Sequence, residues 1–118
     1  MENKEFAKEL ENRTLKFAVS ILKFSAKLPK SLEANVVRNQ LSKSGTSVGA
    51  NYHEANRARS KADFANKIKI SESESSETVY WLKVVLEMNW SSMEVISPIF
   101  KEANELLAIF SSISKGLK

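Results

Sequence analysis

Phe6, Leu10, Thr14, Phe17, Ile21, Phe24 and Leu28 follow one another in alternating steps of four and three residues. That spacing draws one inward stripe along a helix of 3.6 residues per turn, and a strand of period two cannot reproduce it. Pro29 ends the stripe, because the residue before a proline is pushed toward extended geometry, and Ser31 stands ready to cap a second helix. That second helix carries Ala34, Val37, Leu41, Ser44, Val48 and Ala55 at the same spacing and ends within Arg57 to Arg59. Ser60-Lys61-Ala62-Asp63 is a capping-box pattern and opens a third helix, whose stripe of Phe64, Ile68, Ser71, Ser75, Thr78, Leu82 and Val85 runs to about Asn89. Ser97-Pro98 reads as a cap followed by proline at the first helical position, with Phe100, Ala103, Leu107, Phe110 and Ile113 inward and Gly116 as the stop.

The expectation is an all-α chain: one domain over residues 1–118, folded as an antiparallel up-down-up-down four-helix bundle with helices near 3–27, 32–57, 61–89 and 98–115. Glycine and proline support it. The chain holds three glycines and two prolines, where usage of roughly 7% and 5% would supply about fourteen residues, so there are too few turn formers for a sandwich or barrel.

The absence of cysteine excludes disulfides, thiolate catalysis and cysteine-ligated metals. A single histidine, His53, cannot supply the paired Glu-x-x-His motifs of a di-metal bundle, and no cofactor or metal is expected. No stretch approaches the roughly 20 apolar residues of a membrane span, and Met-Glu-Asn-Lys-Glu lacks the apolar region of a signal peptide. The expected setting is the cytoplasm, with no membrane partner.

Folding the second and third helices back about residue 59 lays the small stretch Ser44-Gly45-Thr46-Ser47-Val48-Gly49 opposite Ile70 to Ser75. Gly45 and Gly49 share a helical face that lets backbones approach, at a cost of roughly 1 kcal/mol each in helix propensity. Ser44, Gly45, Ser47, Gly49, Ser71 and Ser75 are therefore assigned to helix packing, with the glycines against the serine face.

Two helices carry more apolar surface than one bundle core can cover. In Val79 to Met88 only Lys83 and Glu87 are charged, and along Phe17 to Leu28 the polar residues Ser20, Lys23 and Lys27 continue from Lys16 as a single stripe. The surplus points to a homo-oligomer, with Tyr80, Trp81, Val84 and Trp90 at its interface.

Net charge is +4, unevenly spread. Residues 38–69 hold seven basic against two acidic residues, whereas residues 70–118 hold four against seven. Arg38, Lys43, Arg57, Arg59, Lys61, Lys67 and Lys69 are expected to cluster around the turn between helices two and three and to attract phosphate backbones without reading sequence. Arg59 with Asp63, and Asp63 with Lys67, are spaced to pair along the helix and would mute the patch.

Catalysis has thin support. His53 and Glu54 are neighbours and point about 100° apart on a helix, so they make no oriented base. Glu74 and Glu77 share a face and could serve as an acid and base pair or as two metal ligands, but no nucleophile or second histidine joins them. The expectation for both is structural, and the chain is not expected to be an enzyme.

The run from Ser44 to Phe64, followed by Lys67-Ile68-Lys69-Ile70, Glu74 and Glu77-Thr78-Val79-Tyr80-Trp81-Leu82, resembles the bacterial four-helix-bundle family of 23S ribosomal RNA intervening-sequence proteins. The resemblance covers essentially the whole chain and implies a bundle that assembles as a homopentamer. The family is related in fold to the accessory protein of diversity-generating retroelements, a basic pentamer that binds nucleic acid and a reverse transcriptase. That relation implies nucleic-acid binding, with Arg57, Arg59 and Lys61 as the carried-over candidates. Ser44, Gly45, Ser47, Gly49, Asn51 and Glu54 match the motif of the intervening-sequence family by position and are assigned to helix packing and buried hydrogen bonding. The functional expectation is a non-enzymatic homo-oligomer that binds RNA, another nucleic acid or another polyanion through its basic end near the turn between helices two and three. The alternative is a structural or adaptor oligomer that docks a protein partner.

Overall fold

The computed structural model describes residues 3–117 as α1 (Lys4–Ala26), α2 (Leu32–Ala55), α3 (Lys61–Glu87) and α4 (Met93–Gly116). Each helix packs on its neighbours in chain order, and α1 meets α4 along the thinnest of the four seams. The backbones of the diagonal pairs, α1 with α3 and α2 with α4, do not approach closely, and these helices meet only through side chains in the core. The result is a four-helix bundle 44 Å long.

All four helices start on a side-chain cap. Asn3, Ser31, Ser60 and Ser92 accept from the amides of Phe6, Ala34, Asp63 and Val95, respectively. Such caps satisfy amides that have no partner inside the helix, worth about 1 kcal/mol each. Ser31 and Ser60 cap where the sequence placed them. Helix four does not begin at Ser97-Pro98; it starts five residues earlier, and Pro98 lies inside it. Proline there forfeits one backbone hydrogen bond, to the carbonyl of Glu94, but both residues are exposed and water can take that carbonyl. Extending the helix toward its N-terminus buries Ile96 completely, and the burial outweighs the lost bond. The buried stripe of α4 is accordingly Ile96, Ala103, Leu106, Phe110 and Ser114, while Phe100, Leu107 and Ile113 are half-buried at its flanks.

Helix three ends on a different device. Asn89 takes a left-handed conformation (φ 58°), the amide of Trp90 donates to the Val85 carbonyl (3.1 Å), and that of Asn89 donates to Leu86 (3.0 Å). This is a Schellman stop with asparagine in the place usually held by glycine. Gly116, expected to stop α4, is its last helical residue and has no positive φ.

The inward stripes of α1, α2 and α3 are buried as read, apart from Phe6, which is exposed, and Phe64, which is half-buried. Across the core, the rings of Tyr52 and Phe110 meet edge to face with centroids 5.4 Å apart, joining α2 to α4.

The small residues divide between two seams. On the α2–α3 side, Thr78 Oγ1 donates to Ser44 Oγ (2.9 Å) and Ser71 Oγ donates to the Val48 carbonyl (2.9 Å), both buried. Ser75 Oγ bonds back to the Ser71 carbonyl (2.8 Å) within its own helix. The glycines face the other way. A methyl added at Gly45 would lie 2.7 Å from Ile21 Cγ2, and one at Gly49 would lie 3.0 Å from Thr14. Gly45 and Gly49 thus admit α1, and the expectation that they abut the serine face of α3 is corrected. Ser47 is half-buried and offers its carbonyl to Asn51 Nδ2 (2.9 Å). Glu54, grouped with the buried polar residues by resemblance, is exposed because it falls on the outward side of α2.

Candidate nucleic-acid interface

Antiparallel packing gathers four chain segments at one end of the bundle: the start of α1, the α2–α3 connection, the start of α3 and the end of α4. Two helix N-termini and two C-termini meet there, so their dipoles largely cancel and the field is set by side chains. A cavity of about 870 Å³ opens at this end. Its cations are Lys4 and Lys8 from α1, Arg59 from the connection and Lys61 from α3; its one carboxylate is Glu11. Ala7, Ala55, Ala58, Phe64 and Ala65 supply apolar lining.

None of the four cations lies within 4.0 Å of a carboxylate of another described residue. The pairs Arg59 with Asp63 and Asp63 with Lys67, expected to mute the patch, do not form. Glu11 is already engaged. It accepts from Asn56 Nδ2 (2.7 Å) and faces His53 Nδ1 at 3.6 Å and Arg57 Nη1 at 3.7 Å, which ties α1 to the end of α2. Arg57 also donates to the His53 carbonyl (2.9 Å) and ring (3.1 Å). Arg57 is therefore a half-committed cation, unlike Arg59 and Lys61.

Four other expected members lie away from this end or on its flank. Arg38 belongs to the opposite end, where it caps α1: Nε donates to the Ser25 carbonyl (3.1 Å), and Nη2 donates to those of Leu28 (2.6 Å) and Pro29 (2.7 Å). Its Nη1 bonds Asn35 Oδ1. The cluster that includes Arg38 is corrected, because seventeen residues of helix, about 26 Å, separate it from Ala55. Lys43 sits mid-helix beside Glu74, whose carboxyl is raised above its usual range by burial and by Glu77, with Lys43 acting in the opposite sense. Lys67 and Lys69 lie two turns into α3, half-buried and exposed, respectively. Lys4 and Lys8 were missed by reading the middle of the chain alone. The signal was available: folding α1 back on α2 places the start of α1 beside the end of α2.

Glu77 accepts from Trp81 Nε1 (3.2 Å) one turn along α3. Of the expected interface residues, Tyr80 is 58% exposed and stacks edge to face on Trp81, while Trp81, Val84 and Trp90 are half-buried against the bundle's own core. The larger uncovered apolar face lies on α1, where Leu15, Val19 and Leu22 are 63%, 43% and 49% exposed.

A family model described as 23S rRNA-intervening sequence protein matches residues 8–112. The chain belongs to this family. It is also similar to the crystal structure of a protein of unknown function from the S23 ribosomal protein family of Bacteroides thetaiotaomicron. The two are 35% identical with a TM-score of 0.82, over 89% of this chain and 97% of that one. None of the curated proteins matches it. No helix is long and apolar enough to cross a membrane, among the described residues of this family member.

Proposed function

We propose that this member of the intervening-sequence family is a non-enzymatic, cytoplasmic homo-oligomer that binds RNA through the basic end of its bundle. The observation that carries the reading is the convergence of Lys4, Lys8, Arg59 and Lys61 on one cavity, with Glu11 already engaged. Cations without counterions bind a phosphate backbone by releasing its condensed ions, so the interaction is sequence-tolerant and weakens with salt. The family's name ties its members to 23S rRNA, which favours RNA among polyanions.

The apolar faces support self-assembly. Leu15, Val19 and Leu22 on α1 and Tyr80 with Met88 on α3 lie on diagonally opposed helices and are different patches. Joining one patch to the other is a heterologous contact, which repeats around a ring and closes when the rotation permits. The five-fold ring implied by resemblance is of this kind.

Fluorescence anisotropy with a labelled single-stranded RNA tests the first part. Arg57, Arg59 and Lys61 changed together to Glu should reduce affinity more than tenfold at low salt and flatten its salt dependence; unchanged affinity overturns the reading. Light scattering tests the second, and a clean monomer at micromolar concentration would refute it.

A further inference from the structure

We infer that the cavity at the basic end seats one unstacked nucleobase of a single-stranded RNA, with the flanking phosphates on its cationic rim. The inference rests on the RNA-binding reading above and adds what the end selects.

Charge alone would attract any polyanion, duplex or single-stranded. The shape of this end discriminates between them. A convex basic knob could lie against a duplex backbone, but here the cations surround a recess of about 870 Å³, within the roughly 300–1,000 Å³ usual for small-ligand sites. The lining splits by chemistry. Lys4, Arg59 and Lys61 are exposed and stand where the recess meets solvent, while Ala7, Ala55, Phe64 and Ala65 are buried or half-buried deeper along the helices. Phosphates and bases need those two surfaces in that order: charge outside for the backbone, and methyl groups with an aromatic ring inside for a base face. A paired base has its faces covered by its neighbours and cannot enter, so only an unpaired strand uses both surfaces.

Glu11 adds a polar edge. Its carboxylate lines the recess and is fixed by Asn56, so an acceptor stands beside the apolar lining where the exocyclic amine of adenine, cytosine or guanine could donate. Uracil has no such amine, and the recess should prefer the amino-bearing bases.

A base carrying a phosphate is also the chemistry of a free nucleotide, and a cationic rim over an apolar floor suits a fatty-acid anion. The experiment separates these sources. The full chain is titrated with a single-stranded RNA carrying 2-aminopurine, with the same sequence as a duplex, with AMP and with laurate. Ala58→Trp fills the recess without altering charge, and Ala62→Trp, exposed on α3 outside the cavity, controls for added surface aromaticity. Circular dichroism melts check that both variants fold.

The expected result is at least tenfold tighter binding of the single strand than of the duplex, a change in 2-aminopurine emission on binding, and loss of both in Ala58→Trp but not in Ala62→Trp. Should Ala58→Trp fail to fold, Ala7→Trp fills the same recess from α1. Equal affinity for strand and duplex, or a filled recess that binds the strand as well as the parent does, overturns the inference. AMP binding as tight as the strand assigns the recess to a free nucleotide and also overturns it, as does laurate binding with no single-strand preference. If the charge-reversed triple variant binds RNA normally, the RNA reading itself has failed. If that variant loses binding while Ala58→Trp keeps it, only the base-seating inference falls.

Discussion

The two ends of the bundle carry arginines of the same sequence neighbourhood and use them in opposite ways. At the α1–α2 end, Arg38 donates to the carbonyls of Ser25, Leu28 and Pro29 and to the side chain of Asn35. At the α2–α3 end, Arg59 and Lys61 stand with Lys4 and Lys8 around a recess and have no carboxylate of the described chain within ion-pair distance. Arg57 is intermediate, shared with His53 and Glu11. Counting charges along a sequence treats all of these alike. What separates a structural cation from one that can meet a ligand is whether its hydrogen-bonding capacity is already spent.

The largest effect that tests this contrast is on stability. Arg38→Met keeps the aliphatic stem and removes every donor, leaving three carbonyls at the end of α1 without their charged partner. Charge-assisted bonds of this kind contribute about 2 kcal/mol where they are partly shielded, and the cation also complements the negative end of the helix dipole. Urea denaturation should show that loss, with RNA affinity within twofold of the parent. A drop in affinity without loss of stability would place Arg38 among the ligand-facing cations and break the contrast.

This difference explains where the sequence could and could not be read. Helix existence and the inward stripes of α1, α2 and α3 followed from periodicity, because each stripe has only one way to be buried in an antiparallel bundle. The start of α4 did not. Ser97-Pro98 satisfies every local rule for a helix start, and only the tertiary burial of Ile96 shows that the helix begins at Ser92. The glycines failed similarly: their spacing marks a close approach but not its partner, and Ile21 of α1 stands there instead of α3. For the site, Arg59 and Lys61 were legible as charges near a turn. Lys4 and Lys8 complete the ring of cations only through topology, and Arg38 leaves it only through hydrogen bonds that no sequence spacing reveals.

The converse substitution is next in size. Arg59→Ala should change stability by less than about 0.5 kcal/mol, as is usual for an exposed side chain without partners. Its RNA affinity should fall about fivefold at low salt, with the slope of log affinity against log salt reduced by about one. Salt titration by anisotropy reads both numbers, and a slope identical to the parent's would show that Arg59 meets no phosphate.

Arg57 offers a way to move a residue from one class to the other. Glu11→Gln retains an acceptor for Asn56 and removes the negative charge facing Arg57 and His53. The basic end gains one unit of net charge, and affinity for an oligo-uridine strand, whose base has no exocyclic amine to offer the carboxylate, should rise about threefold at low salt, converging on the parent above roughly 0.5 M salt, where the Debye length is only a few ångströms. With an amino-bearing base the gain should be smaller or reversed, because the same substitution weakens the acceptor at the polar edge of the recess, and an oligo-uridine affinity that does not rise would show that Arg57 stays in the structural class.

The smallest expected effect lies outside both ends, at Glu74, where a carboxylate is held among groups that do not favour its charge. Burial first and Glu77 second raise its titration above the ordinary carboxylate range, and Lys43 offsets them only in part. The sign follows from linkage: a group that binds its proton more tightly in the folded state adds to stability below its unfolded-state value, and that contribution is lost as pH rises through the folded one. At pH 7 the ionised Glu74 is therefore a mild liability. Glu74→Gln removes it and should raise stability by about 0.5 kcal/mol, discounted for a side chain that solvent partly screens. The gain should shrink toward zero by about pH 3, well below the unfolded-state value of roughly 4.3, where the wild-type carboxyl is protonated in both states. Urea midpoints at the two pH values give the comparison, and a stabilisation independent of pH would assign the effect to helix packing instead of charge. No change is expected in RNA affinity from this substitution, since Glu74 faces Lys43 at mid-bundle and not the cations around the recess.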